Sequence, residues 1–196
     1  MAEIVLFHSA QGPRPGVHAA ADVFREAGHT VTVPDYYDGE YFDDLESGLR
    51  KRDSLGFPEL ERRFREISAA VTGPVVFAGF SLGAAAAQLL AHTHPLARGA
   101  ILLHGAGRPA DFADAPWPAS VPVQVHYAEG DRWMDAAEVA DLRAAVTAAG
   151  AAFEAYVYPG DAHLFTDPGL PDHDPESAEL VWRRALAFLD GRAVTA

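Results

Sequence analysis

The sequence of 196 residues contains no cysteine, which excludes disulfides, thiolate zinc sites and a cysteine nucleophile. Basic residues are also few, since 15 lysines and arginines stand against 28 aspartates and glutamates and give a net charge of -13. Such a chain repels nucleic acid phosphates and anionic lipid surfaces, so we expect neither as a partner. Apolar runs are short, and none approaches the roughly 18 residues of a membrane span. We expect a cytoplasmic protein.

Short apolar runs alternate with helical patterns along the chain, whose composition is 49% hydrophobic and 22% charged. The apolar runs predict six strands, at residues 4–7, 30–33, 75–79, 99–103, 121–127 and 153–158. About five helices are predicted between and after them, while residues 35–55 read as a long connection or a small cap. The strands lack polar alternation, which is typical of a parallel sheet covered on both faces. We therefore predict one α/β domain over residues 1–196 with a mainly parallel sheet.

The stretch AGFSLGA places Ser81 between Gly79 and Gly83, where the third predicted strand becomes an alanine-rich helix. Glycine at both positions permits a turn so sharp that larger side chains would collide with the backbone. A serine on such a turn is raised above the sheet and is a candidate nucleophile. The alternative is an ordinary loop in which Ser81 caps the helix, but the strand, turn and helix context favours the nucleophile.

A serine hydroxyl is a weak nucleophile that needs a base and an acid to orient the base. Enzymes with this turn carry nucleophile, acid and base in that order, each after its own strand. Asp131 and His163 follow the fifth and sixth predicted strands, so we predict Asp131 as the acid and His163 as the base. Glu129 and Asp135 are alternatives for the acid, although Asp135 also fits a helix cap. The alternative for His163 is a surface loop histidine.

Two backbone N–H groups are candidates for stabilising an oxyanion. The N–H of Leu82 lies at the predicted start of the helix after Ser81, where the helix dipole is positive. The second donor is expected in the loop after the first strand, at Ala10 or its neighbours Ser9 and Gln11.

Several side chains are predicted near the same edge of the sheet. His8 and His104 each follow a strand, so we predict that they line the pocket, although they could instead bond loop backbone groups. Tyr36, with Tyr37 and Phe42, is a candidate for a pocket wall, and packing of the long connection is the alternative. No cluster of histidines and carboxylates has the spacing of metal ligands, so neither a metal nor another cofactor is expected.

Five stretches of the sequence resemble the dienelactone hydrolase family, and the resemblance extends over nearly the whole chain. They are Val33–Tyr37, Phe42–Gly48, Gly79–Gly83, His126–Asp131 and Tyr158–Phe165. The resemblance implies an α/β-hydrolase fold without a large lid domain. It also implies a triad of Ser81, Asp131 and His163 that cleaves a small ester or lactone.

The chain departs from the best-known members of that family at two positions. They carry cysteine as the nucleophile and a glutamate after the first strand, whereas this chain has Ser81 and the segment FHSAQ at residues 7–11. The two changes are consistent, because a serine triad does not need that glutamate. Those members also hold an anionic lactone with cationic side chains. Candidates here are Arg14 and the run of residues 50–52 (Arg, Lys, Arg), although a solvated helix face is favoured for the run.

These observations predict a serine hydrolase that acts on a small ester or lactone through an acyl-enzyme intermediate. A short-acyl carboxylesterase or a thioesterase would share the same residues and differ in the pocket. A non-catalytic ligand-binding protein on the same fold is an alternative of another class. The expected partner is the small-molecule substrate, and a homodimer is left open.

Overall fold

The computed structural model describes residues 1–191, so residues 192–196 of the domain expected from the sequence lie outside the described part. The six strands are β1 (Glu3–Phe7), β2 (Thr30–Thr32), β3 (Val75–Phe80), β4 (Ala97–Leu103), β5 (Val123–Ala128) and β6 (Phe153–Tyr158). The helices are α1 (Pro15–Glu26), α2 (Leu45–Leu55), α3 (Phe57–Ser68), α4 (Leu82–Thr93), α5 (Ala136–Ala148) and α6 (Pro175–Leu189), with a short 3₁₀ turn at Pro109–Asp111. Within this part, no helix has the length and apolar character needed to cross a membrane.

All strands run parallel in one sheet, in the order β2-β1-β3-β4-β5-β6. Side chains alternate between two apolar layers, so that Val5 and Phe7 face one side of the sheet while Ile4 and Leu6 face the other. Helices α1 and α6 cover the second side, and α2 to α5 cover the first. The prediction of a parallel sheet covered on both faces is confirmed, and the inner strands β1, β3 and β4 carry apolar residues at consecutive positions that fill both layers.

Strand ends differ from the prediction by up to two residues, as at β4, which begins at Ala97 rather than at residue 99. The differences at β5 and at α2 have a physical reason. Strand β5 begins at Val123 rather than at residue 121, since Pro122 has no N–H to donate to a neighbouring strand. The segment expected as a connection or cap contains the helix α2, which begins after Asp44, whose carboxylate accepts from the Ser47 N–H at 2.8 Å. Only Gly48 of α2 is fully buried, so the helix lacks the broad apolar stripe that reveals a helix in a sequence.

The sheet positions α4 through a close approach of its first turn to the end of β1. A Cβ atom at Gly83 would lie 2.4 Å from the carbonyl oxygens of both Phe7 and His8. A Cβ at Gly79 would lie 2.1 Å from the carbonyl oxygen of Gly83. Both glycines are therefore required for the helix to begin directly against the sheet.

We expect Gly83→Ala to lower the free energy of unfolding by about 1–3 kcal/mol, because the added methyl forces backbone atoms apart. The expected destabilisation is opposite to the usual effect, since alanine in place of a glycine inside a helix usually raises the free energy of unfolding by about 1 kcal/mol. Urea unfolding measures the change. Gly73→Ala is the matched control, because its Cβ would meet only the Glu3 carboxylate at 3.6 Å. Equal stability of the two variants would contradict the close approach.

Candidate active site

Ser81 lies on the turn between β3 and α4, with φ of 52° and ψ of -110°. A non-glycine residue with positive φ is uncommon and strained, and this serine is one of three such residues in the described chain. Its N–H donates to the carbonyl of Leu103 at 2.8 Å, which ties the turn to the end of β4. The hydroxyl makes no capping hydrogen bond to α4, so the interpretation of Ser81 as a helix cap is wrong.

The structure brings Ser81, His163 and Asp131 together. The Nε2 atom of His163 lies 2.8 Å from Ser81 Oγ, and Nδ1 lies 2.7 Å from Asp131 Oδ2. Because a carboxylate only accepts hydrogen bonds, Nδ1 carries the proton and Nε2 is left to accept from the Ser81 hydroxyl. The Asp131 side chain is fully buried, and its second oxygen accepts from the Trp133 N–H at 2.9 Å. The carboxylate is thus held on both oxygens.

The other candidates for the acid lie elsewhere. Asp135 caps α5 by accepting from the Ala137 N–H at 2.8 Å, as its alternative interpretation predicted. Glu129 is exposed at the end of β5, and its own N–H donates to the carbonyl of Tyr158. Of the three candidates, Asp131 is therefore the carboxylate that is hydrogen-bonded to His163.

The two N–H groups predicted for oxyanion binding are unpaired within residues 1–191. Leu82 is the first residue of α4, and neither its N–H nor that of Ala10 donates to another group there. The Gln11 N–H is occupied, since it donates to Ser9 Oγ at 3.1 Å. The loop that carries Ala10 lies against the first turn of α4, as the close approach at Gly83 requires. Free N–H groups at a helix start form a region suited to negative charge.

His8, Tyr36 and His104 lie beneath the site rather than on an open wall, which corrects the prediction that they line the pocket. Their exposed fractions are 0%, 2% and 1%. The Tyr36 hydroxyl donates to the carbonyl of His8, and His104 Nε2 lies 2.7 Å from Thr166 Oγ1. Burial lowers the pKa of His8 to about 4, and burial with the nearby charges of His163 and His126 lowers the pKa of His104 well below its ordinary value. These three rings are therefore uncharged and pack beneath the site without lining it.

Open space beside His163 forms a cleft of about 520 Å³, lined in part by Leu45, Trp133 and Asp172. An adjoining depression of about 200 Å³ shares His163, Leu45 and Asp172 with the cleft. The sequence analysis did not identify these lining residues. Trp133 offered a signal, because a large aromatic residue stands two positions after the predicted acid in the same loop. In the structure its side chain is 45% exposed, which is unusual for a large apolar residue. Leu45 could not be identified from the sequence, because the helix α2 that carries it was not predicted.

The cations considered for binding an anionic substrate are held by acidic side chains. Arg14 is buried and bonds Asp43 at 2.9 Å and Asp167 at 3.3 Å. The three basic residues at 50–52 each form an ion pair, with Glu46, Glu40 and Asp53 respectively. The cation that lines the cleft is Arg132, whose guanidinium lies 5.2 Å from the centre of the Trp133 ring. Because Arg14 and residues 50–52 are already paired with carboxylates, none of them is free to bind an anionic group of a substrate.

Comparisons with known proteins agree with this architecture. Protein usf of Aquifex pyrophilus is 23% identical to this chain in an alignment 203 residues long, which covers 94% of this chain and 86% of that protein. The crystal structure of P91, a dienelactone hydrolase-like promiscuous phosphotriesterase from metagenomic libraries, superimposes with a TM-score of 0.80 at 19% identity, covering 97% of this chain and 86% of that one. A phospholipase/carboxylesterase from Dyadobacter fermentans gives a TM-score of 0.61 at 18% identity, covering 94% and 90%.

These structural likenesses show the α/β-hydrolase fold that the resemblance implied. The family itself is shown by the sequence, because residues 1–192 match the model of the dienelactone hydrolase family. With a match over nearly its whole length, this chain belongs to the dienelactone hydrolase family.

Proposed function

We propose that the protein hydrolyses small neutral esters or lactones with Ser81 as the nucleophile, His163 as the general base and Asp131 as the acid that orients His163. The observation that carries the proposal is the continuous hydrogen-bond chain through His163, with distances of 2.7 Å to Asp131 and 2.8 Å to Ser81. These distances lie within the range in which a positioned base can take a proton from a nucleophile.

In the first half of the reaction, His163 Nε2 takes the Ser81 proton while Oγ attacks the carbonyl carbon of the substrate. The carbonyl oxygen becomes negative and accepts hydrogen bonds from the N–H groups of Leu82 and Ala10. When the carbon–oxygen bond to the leaving group breaks, the departing oxygen takes the proton from His163. An ester of Ser81 remains.

In the second half, a water molecule gives a proton to His163 and attacks the acyl carbon. The tetrahedral intermediate collapses, Ser81 Oγ leaves and recovers the proton, and the carboxylic acid is released. Asp131 keeps the Nδ1–H tautomer and stabilises the positive imidazolium that forms in both halves. Its complete burial strengthens this interaction, since little water competes for the carboxylate.

The charge around the cleft supports a neutral substrate. Asp161 and Asp172 line the cleft, Asp43 lines the adjoining depression, and Arg132 is the cation among the lining residues. The whole chain carries a net charge of -13, which adds a repulsive field for anions. A substrate that bears a free carboxylate is therefore bound less well than its neutral analogue.

We expect Ser81→Ala to lower kcat on p-nitrophenyl acetate by at least about 10⁴-fold, because no other group supplies the nucleophile. A fluorophosphonate probe should label the wild type and fail to label this variant. Ser68→Ala is the control, since Ser68 is a buried serine that donates to the carbonyl of Arg65 on α3 and has no bond to His163. Activity that survives Ser81→Ala would contradict the mechanism. A wild type that neither reacts with the probe nor cleaves any ester or lactone would indicate a ligand-binding protein.

We expect Asp131→Asn to lower kcat by about 10²–10⁴-fold with KM little changed, because the amide can donate to His163 and favour the wrong tautomer. Steady-state kinetics on the same ester measure the effect. Glu129→Gln is the control, since Glu129 is exposed and the carboxylate paired with His163 in the described part of the chain is that of Asp131. A comparable loss in both variants would indicate a general effect of charge rather than orientation of His163.

We expect the methyl ester of 4-acetoxybenzoate to be deacetylated with a kcat/KM about three- to tenfold higher than that of the anionic free acid at low ionic strength. The preference should shrink as salt is added, because salt screens exposed charges. Asp172→Asn should reduce the preference, and Asp22→Asn, on the exposed face of α1, should not. A preference for the anion that disappears in Arg132→Ala would instead identify Arg132 as its anchor.

A further inference from the structure

The buried ring of His8 makes one hydrogen bond, and that bond goes to the loop that carries Ala10. Its Nδ1 atom lies 2.7 Å from the carbonyl oxygen of Ser9. Because a carbonyl oxygen only accepts hydrogen bonds, Nδ1 must carry the proton. The other nitrogen, Nε2, has no hydrogen-bond partner within the described chain, and Asp35 Oδ1 is 3.9 Å away, beyond hydrogen-bond distance. His8 thus acts as a neutral donor with a defined tautomer.

Aromatic neighbours fix the orientation of this ring. Tyr36 stacks on it with ring centres 3.7 Å apart and an angle of 11° between the planes, and Tyr37 contacts it edge-on at 5.0 Å. The Tyr36 hydroxyl also donates to the carbonyl of His8. The ring therefore cannot turn away from Ser9 without disrupting packing on both sides.

The carbonyl of Ser9 and the N–H of Ala10 belong to the same planar peptide group, so fixing one fixes the other. The peptide is trans, which makes the two groups point in opposite directions. The Ser9 carbonyl accepts from His8 Nδ1 and from the Gly12 N–H at 3.0 Å. Donors on a carbonyl also polarise its peptide, which makes the N–H on the other side a stronger donor.

The next peptide is held as well. A Cβ at Gly48 would lie 2.4 Å from the carbonyl oxygen of Ala10, so α2 packs directly on that oxygen. Ala10 is a buried residue, and its N–H is unpaired in the part of the chain that the structure describes. A buried N–H without a partner costs free energy, which is expected where the partner is a reacting group.

We infer that His8 is a positioning residue for the reaction proposed above: its Nδ1–H holds the Ser9–Ala10 peptide so that the Ala10 N–H faces the developing oxyanion. This role rests on the proposed function of Ser81 and adds the group that preorganises the second oxyanion donor. An oxyanion exists in the transition state and not in the substrate, so the contribution of His8 appears in kcat rather than in KM.

The test uses substitutions that separate the donor from the ring. In His8→Asn the amide nitrogen occupies nearly the position of Nδ1, so the bond to Ser9 is kept. In His8→Gln the amide lies one bond further out, and in His8→Leu the donor is lost. We expect His8→Leu and His8→Gln to lower kcat by about 10–100-fold with KM within about twofold, and His8→Asn to remain within about threefold of the wild type.

Two further measurements distinguish positioning from loss of structure. The affinity for phenylboronic acid, which forms a tetrahedral adduct on serine, should fall in parallel with kcat/KM in His8→Leu and His8→Gln. The loss should also be the same at every pH from 5 to 9, since His8 stays neutral there with a pKa of about 4. His92→Leu is the matched control, because His92 is another buried histidine, bonded to the carbonyl of Ala115 at 2.9 Å far along α4. Its kcat should be unchanged.

The outcomes are decisive in either direction. An unchanged kcat in folded His8→Leu or His8→Gln overturns the inference, and so does an equal loss in His8→Asn, which would assign the effect to the ring and not to the donor. Where His8→Leu does not fold, the polar pair His8→Asn and His8→Gln carries the test. Failure of the proposed function is distinguishable, because activity would then survive Ser81→Ala whatever the variants of His8 do.

Discussion

The hydrogen bond between Ser81 Oγ and His163 Nε2 joins residues that lie 82 positions apart in the sequence. It depends on the sheet, because β3, β5 and β6 all end at the same edge and β4 is the only strand between β3 and β5 in the sheet order. Register fixes the relative heights of these ends, since a shift by one residue would move each terminal loop by more than 3 Å. A bond of 2.8 Å therefore requires every intervening strand pair to be correct.

That requirement explains why a strained residue is tolerated at position 81. Backbone in this region costs about 1–3 kcal/mol and persists only where the surroundings hold it. Here the N–H of Ser81 bonds the carbonyl of Leu103, and the carbonyl of Ser81 accepts from the N–H groups of Ala84 and Ala85. The neighbouring strand and the first turn of α4 thus hold the two peptide groups on either side of Ser81. The strain turns the side chain toward His163 instead of toward the helix.

The sequence predicted the parts of this arrangement that depend on chain order and on apolar runs. The inner strands β1, β3 and β4 carry consecutive apolar residues, and Asp131 and His163 follow β5 and β6, so both features can be read from the order of residues along the chain. The burial of a side chain cannot be read from the order of residues in the same way. His8 and Tyr36 were assigned to the correct edge of the sheet, but their burial depends on residues 35–37 folding over the end of β1. A position relative to the sheet edge does not tell which side of the loop faces solvent.

Helix α2 was missed for a related reason, and its absence from the prediction hid part of the site. Its sequence LESGLRKRDSL is mostly polar, and its contacts with the core come from partly buried leucines and from the bare backbone at Gly48. Backbone packing leaves no hydrophobic pattern to detect. Yet the backbone of α2 at Gly48 packs directly against the Ala10 carbonyl, and Leu45 at the start of the helix lines the cleft.

The loop after β1 gives a physical reason for the departure from the best-known members of the family. A thiol nucleophile depends on control of its own charge, and the glutamate after the first strand serves that purpose there. Here the corresponding loop contains Ser9, whose hydroxyl accepts from the Gln11 N–H and whose carbonyl is bonded by His8. Within residues 8–12 of this loop, the ionisable side chain is that of His8, which is buried and neutral. Its polar atoms bond one another, so in this chain the loop contributes a rigid backbone, and the proposed mechanism leaves proton transfer at Ser81 to His163.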